Sequence, residues 1–313
     1  MENNRLNLTP TVCCVCGIDD TDKVGSGEDY EYRTTDDTFA AFRCRSCTLV
    51  YLNPRPTLAD METIYPAEYH AFDFSEKDFG LVHKIRSRLE ARRLLACCGS
   101  MPERARIMDI GCGDGFHLNL LREFGNKNWE LEGVDLNRRA VEAAERSGLK
   151  VHFGGLESLD LQANSYDLIF MIQTIEHVER PDVTLDTVYR LLKHGGRLVI
   201  VTDNTDSVDF GLFKGGYWGG YHFPRHLNLF NKFSLAKLAA KTGFSVANIS
   251  TLVSPVNWVY SFHNALVDKQ ASTFFINRFT LKSVVSLSAF TLLDIVLQKF
   301  RRGALLLATL QKP

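Results

Sequence analysis

Asp109, Gly111, Gly113 and Gly115 alternate along one short turn, and Asp135 follows about twenty residues after the last glycine. Glycines so spaced let backbone approach a ligand where a Cβ would collide. An acid at the tip of the next strand can accept hydrogen bonds from both hydroxyls of a ribose. A dinucleotide site carries G-x-G-x-x-G, with a pyrophosphate over the helix N-terminus. Here Asp109 and Asp114 crowd the turn. They repel a pyrophosphate and suit a ligand bearing an ammonium and a sulfonium. Cys13-x-x-Cys16 and Cys44-x-x-Cys47 form a second constellation, four thiolates that suit the closed tetrahedral shell of a structural Zn²⁺. Cys14 is an alternative ligand, although the register favours Cys13 and Cys16. His177, His222 and His226 titrate near neutrality and can take a proton from a hydroxyl.

These residues need a scaffold. Ile107-Met108 leads into the glycine turn, Phe116, Leu120, Leu121 and Phe124 follow at helical spacing, and Leu131–Val134 ends on Asp135. That is a βαβ nucleotide-binding unit. Lys150–Phe153, Tyr166–Ile172 and Arg197–Thr202 add three strands, with helices over 137–147 and 182–193 between them. Leu136, beside Asp135, and Gln173, at the tip of the fourth strand, stand at carboxyl ends of strands, where open α/β sheets bind ligands. Upstream, 79–98 reads as an amphipathic helix with Leu81, Ile85, Leu89 and either Leu94 or Leu95 on its apolar stripe and arginines between. Asn53-Pro54-Arg55-Pro56 marks the end of the cysteine-bearing module.

Asp109-x-Gly111-x-Gly113-x-Gly115 with Asp135 resembles the first motif of class I S-adenosylmethionine (SAM) methyltransferases. The resemblance implies a Rossmann-like, doubly wound α/β domain with SAM as methyl donor. It implies that Leu156 and Glu157, after the third strand, meet the adenine amino group, with a bare helix cap as the alternative for Glu157. Val50-Tyr51-Leu52-Asn53-Pro54-Arg55-Pro56 and the Tyr65–Tyr69 segment resemble a subfamily with an N-terminal zinc ribbon that often methylates sugars or surface glycans. Either tyrosine covers the SAM pocket or packs on the domain. Some quinone-type relatives bind a divalent metal through Glu-x-x-Glu-His. Gln173 replaces the first acid here and leaves Glu176 and His177, so a catalytic metal is not expected.

Residues 203–230 form the expected acceptor loop. Trp218-Gly219, with Pro224-Arg225-His226 close behind, resembles a stretch of the same subfamily. Its aromatics can stack on sugar faces and Arg225 can pair with phosphate or carboxylate. About fifty residues, 253–302, separate the sixth strand, Phe244–Leu252, from a seventh at 303–313, too many for a hairpin loop. They hold an uncharged run, Ser283–Leu293, between basic residues. It either caps the core, forms a dimer contact, or lies in a membrane interface near a lipid-linked glycan.

Bulk properties exclude other classes. Of 313 residues 45% are apolar and the net charge is −1, so no basic field points to nucleic acid. The polar N-terminus carries no signal-peptide core and no apolar run of about eighteen residues exists. The eight cysteines are expected to be reduced, in a cytoplasmic protein with peripheral membrane contact through 253–302 as an option. The expected organisation is a zinc ribbon (1–60), a linker helix (61–104), a SAM-binding core (105–252), a helical insertion (253–302) and a last strand (303–313). The expected activity is methyl transfer to a hydroxyl of a sugar, nucleotide sugar or lipid-linked glycan. The alternatives are a small-molecule O- or C-methyltransferase of secondary metabolism and a non-catalytic SAM-binding partner in polysaccharide assembly.

Overall fold

The structure, a computed structural model, describes residues 5–66 and 76–313, apart from the side chains of Leu58 and of residues 76–86. Tyr69, Leu81 and Ile85 fall on the undescribed part.

Residues 5–66 hold the strands β1 (Leu8–Thr9), β2 (Thr21–Gly27), β3 (Phe39–Cys44), β4 (Val50–Leu52) and β5 (Arg55–Pro56), then a short helix α1 (Met61–Ile64). Helix α2 (Glu76–Cys98) leads into the core. Its buried stripe runs Ala91, Leu94, Cys98, so Leu94 of the expected stripe faces the core while Leu89 is 60% exposed.

The core alternates β6 (Arg106–Ile110), α3 (Phe116–Phe124), β7 (Glu130–Asp135), α4 (Arg138–Arg146), β8 (Lys150–Phe153), β9 (Tyr166–Ile172), α5 (Pro181–Leu191) and β10 (Leu192–Asp203). After α6 (Val208–Phe213), β11 (Asn228–Leu229) and α7 (Lys232–Lys241) come β12 (Ser245–Leu252), α8 (Val256–Asp268), α9 (Thr273–Ile276), α10 (Val284–Lys299) and β13 (Leu305–Gln311). The main sheet has the order β12-β13-β10-β9-β6-β7-β8. The strands β6 to β10 pair in parallel, while β13 runs antiparallel to β10 and β12. Chain order runs outward both ways from the β6–β9 pair. That is a topological switch point, and the carboxyl ends there open the crevice in which such sheets bind ligands.

Apolar residues in succession along the strands feed both faces of the sheet, as period-2 geometry requires. Met108, Ile169, Met171 and Ile200 pack on one side with α5, α7 and the N-terminal residues Leu49 and Tyr51. Ile107, Leu168, Phe170 and Val201 pack on the other with α2 and α3. Local signals set the helix ends. The Asn137 side chain accepts from Ala140 N to start α4, and Asn231 and Ser234 form a reciprocal capping box on α7.

The N-terminal sheet is not closed within residues 1–60. Its order is β11-β4-β3-β2, so its edge strand comes from 228–229, with Asn228 opposite Tyr51 and Leu229 opposite Val50. Arg55 ties the same region to the start of α5, donating to the Glu179 carbonyl at 3.0 Å and its carboxylate at 3.2 Å. The insertion is pinned at its base by the fully buried Asp294. One of its oxygens accepts from Ser254 N at 2.8 Å and Ala304 N at 3.2 Å.

Candidate functional site

Asp109 lies next to the end of β6, 1% exposed, and neither carboxylate oxygen has a hydrogen-bond partner among the described residues. The His117 ring stands beside it, with Nδ1 3.6 Å from Oδ2. A buried polar group without partners costs on the order of 2–7 kcal/mol, so this carboxyl is an open acceptor at the end of the strand. The three glycines differ in role. At Gly111 (φ +73°) a Cβ would meet Thr174 Oγ1 at 2.5 Å, and at Gly115 (φ +83°) it would meet Leu149 Cδ1 at 2.2 Å. Both let the turn pack against the protein's own residues. At Gly113 (φ +56°) nothing lies within 4 Å. Only there does the close approach expected of all three leave room for a ligand.

Asp135 joins the turn to the next helix. Its oxygens accept from Gly113 N at 2.8 Å and Asn137 N at 2.7 Å. Burial pushes its pKa up, opposed by those backbone donors. Each oxygen keeps a second lone pair for a hydroxyl. Leu136 is 73% exposed, an apolar surface beside that carboxylate. The Leu156 side chain is buried in the core, which leaves its backbone to meet a ligand. Glu157 accepts from the Thr184 hydroxyl and so ties its loop to α5. Gln173 adopts a left-handed φ of 50°, and its amide donates to Glu176 Oε1 at 2.5 Å. That conformation is strained for a residue with a side chain.

Across the switch point the three histidines converge. Ring centroids are 4.5 Å apart for His177 and His226, 5.0 Å for His222 and His226, and 6.4 Å for His177 and His222. His177 Nδ1 lies 2.9 Å from Tyr65 Oη and 3.2 Å from the Arg225 carbonyl. Burial, then the neighbouring His226 and His222, hold its pKa well below the usual value. His222 Nδ1 lies 2.8 Å from Glu31 Oε1, yet burial keeps its pKa low. His226 Nδ1 lies 2.8 Å from the Gly220 carbonyl and 3.2 Å from Asp203 Oδ2. Both partners accept, so Nδ1 carries the proton and Nε2 the lone pair in the neutral ring. Burial works against protonating His226, but Asp203 and Glu176 outweigh it and raise the pKa. Asn257 on α8 holds Asp203 from behind at 2.6 Å. Glu176 is fully buried, accepts from the Thr202 hydroxyl at 2.7 Å, and is pushed by burial up to about 7. Donor atoms of Glu176, His177 and His226 lie within 4.8 Å of one another, close enough to share a metal ion.

Arg225 is a correction to the expectation that it meets the acceptor. Its guanidinium is fully buried and forks onto Asp29 at 3.1 and 2.9 Å, donates to the Ile64 carbonyl at 2.6 Å, and lies 4.4 Å over the Tyr32 ring. Trp218 and Tyr221 are no stacking platform either. Both are buried, with Trp218 Nε1 donating to Asp209 at 2.6 Å. The loop is a small core of its own that presents its histidines. Glu31, Asp203 and Thr202 went unremarked in the sequence. Asp203 and Thr202 end the fifth strand, which is signal enough under the rule for open sheets. Glu31 had no local signal.

A profile of methyltransferase domains matches residues 81–249, more than half of the chain. The protein belongs to this methyltransferase family. Two similar curated proteins are ubiquinone biosynthesis O-methyltransferases. That of Cereibacter sphaeroides is 28% identical over 171 residues, covering 51% of this chain and 68% of the relative. That of Bordetella avium is 28% identical over 201 residues, covering 59% and 80%. Among solved structures, the geranyl diphosphate C-methyltransferase of Streptomyces coelicolor superposes with a TM-score of 0.51 at 14% identity, over 77% of this chain and 85% of that one. This last likeness shows the fold. The chain is a SAM-dependent methyltransferase.

The paired cysteines of this methyltransferase lie N-terminal to the matched segment. Cys13, Cys16, Cys44 and Cys47 place their sulfurs within 4.8 Å of one another. The two turns repeat the same hydrogen bonds. Cys13 N donates to Ile18 O as Cys44 N does to Leu49 O, and Gly17 N donates to Cys13 O as Thr48 N does to Cys44 O. Gly17 (φ 70°) and Thr48 (φ 62°) are both left-handed. Two like knuckles face each other, as a four-thiolate metal site requires. Cys14 points away, its sulfur 3.5 Å from Asn228 Oδ1.

Proposed function

We propose that this methyltransferase methylates a hydroxyl, with His226 as the base, and that the hydroxyl belongs to a sugar or lipid-linked glycan. The observation that carries the base is the Asp203–His226 pair, which leaves the Nε2 lone pair to receive the proton. SAM, when bound, supplies a sulfonium methyl with a neutral leaving group, so the protein has to align the acceptor, exclude water and take one proton. Asp203 keeps His226 in the right tautomer and stabilises the imidazolium once it forms. His177 and His222, held neutral by burial, complete the wall.

The acceptor class rests on what faces the site. Arg225 is spent on Asp29 and Trp218, Tyr221 and Phe223 of the loop are buried, while Glu31 and Tyr65 stand beside the histidines. A wall of carboxylates, a phenol and imidazoles suits a neutral, hydroxyl-rich acceptor better than the phosphates of a nucleotide sugar. A peripheral seat at a membrane face would suit a lipid-linked glycan. The second reading, a phenolic hydroxyl in a quinone precursor, is favoured by the names of the relatives. In the N-terminal region, Cys13, Cys16, Cys44 and Cys47 hold one structural zinc in this reading.

Formation of S-adenosylhomocysteine from SAM is measured with a glycan pool and with catechol-type phenols. Turnover on glycans alone supports the first reading, and turnover on phenols alone replaces it with the second. With the active acceptor, His226→Ala is expected to lower kcat by roughly 10²–10⁴ while calorimetry still shows SAM binding. If His226→Ala retains full turnover, the base is another group.

A further inference from the structure

The insertion leaves one side of α10 uncovered. Inward, Phe290 stacks on Trp258 and Phe262 with centroids at 5.6 and 5.5 Å, Asp294 is buried, and Gln298 donates to the Thr251 carbonyl at 2.6 Å. Outward, Val285, Leu292, Val296 and Phe300 are 73, 67, 51 and 73% exposed. They recur every seven or four positions, which sets them on one helical face. Val284 and Ile295 widen it. A helix apolar on all sides is a helix that expects cover. Phe274 and Phe275 of α9 add two exposed rings.

Charge identifies the cover. Between 269 and 302 the chain carries Lys269, Arg278, Lys282, Lys299, Arg301 and Arg302, all exposed, against a single acid, the buried Asp294. The whole chain has a net charge of −1, so this excess is local. A two-fold contact between copies would set that basic rim against itself. An anionic bilayer would receive it, with the apolar face at the level of the acyl boundary. Among the described residues no helix is long and apolar enough to cross a membrane, so α10 would lie in the plane.

We infer that the α9–α10 face seats this enzyme on an anionic lipid surface. The same insertion braces the acceptor side. Asn257 of α8 holds Asp203, and Ser261 Oγ accepts from Gly219 N at 2.8 Å. The seated insertion and the histidine wall are thus physically joined through α8. This deepens the lipid-linked reading of the acceptor and stands without it, so it is tested apart from turnover.

The test is co-sedimentation of the full chain with vesicles of phosphatidylcholine alone or with phosphatidylglycerol in equal parts, alongside Val285→Asp/Val296→Asp. The wild type is expected to bind the anionic vesicles at least about tenfold better than the neutral ones, and the double variant to stay in solution. Both should give the same heat with S-adenosylhomocysteine, which shows that the variant is folded. The inference is overturned if the wild type ignores anionic vesicles or if the double variant binds them equally. It is overturned too if the wild type is a dimer that the two aspartates dissociate without any vesicle binding, since a second copy then covers the face.

Discussion

Asp29→Asn tests how the acceptor side is held. Asp29 and Arg225 are both fully buried at their side chains, so solvent does not screen them. The carboxylate also accepts from Tyr32 N, Thr34 N and Thr34 Oγ1, contacts that a neutral amide keeps in part. What it loses is the counter-charge. Breaking a buried pair from one side costs about 3–5 kcal/mol. Arg225 retains the carbonyls of Ile64 and Phe223, so the low end applies, about 3 kcal/mol or a factor of roughly 10² in equilibrium. Arg225 lies between His222 and His226, so the loss falls on the acceptor wall. The expected result is an earlier denaturant transition and a lower kcat, with the S-adenosylhomocysteine Kd unchanged because Asp109 and Asp135 lie on the strands β6 and β7. Asp29→Leu with Arg225→Met should recover much of the stability, since two apolar side chains leave no charge stranded. Arginine holds the Asp29 pKa below the ordinary carboxylate value in spite of burial. The pair's contribution is therefore present above the unfolded pKa and lost as pH falls through the lower folded value. If Asp29→Asn stays within about 0.5 kcal/mol of wild type and turns over normally, the reasoning is wrong.

Asp109→Asn should raise the melting temperature of the free protein, by removing an unpartnered buried charge, while weakening SAM by roughly tenfold or more; scanning and titration calorimetry read the two. Metal analysis should find one zinc per chain, lost in Cys44→Ser, with turnover falling too because Asp29 and Glu31 lie between the two knuckles. Glu176 is raised by burial from 4.5 to about 7, so its contribution to stability is full below the lower value and lost as pH rises through the upper one. Melting curves of Glu176→Gln should be flatter across that window than those of wild type, and parallel curves would refute the assignment.

The donor half was legible because its chemistry is local. Asp109, the glycine turn and Asp135 sit within one βαβ unit, where spacing along the chain is spacing in the fold. Even there, spacing did not reveal that Gly111 and Gly115 answer to Thr174 and Leu149, since those contacts come from other elements. The acceptor half is assembled across nearly two hundred positions, Asp29 to Arg225 and Glu31 to His222, and no periodicity announces such pairs. The run from Trp218 to Phe223 was ambiguous for another reason. An aromatic, glycine-rich stretch makes either a platform or a small core, and burial decides between them.

Strand β11 has one further consequence. By lending an edge to β4, the segment 203–230 weaves the cysteine-bearing head into the catalytic fold rather than leaving it a detachable label. A chain shortened to begin at residue 61 would leave Arg225 without Asp29, β11 without β4, and one face of the main sheet without Leu49 and Tyr51.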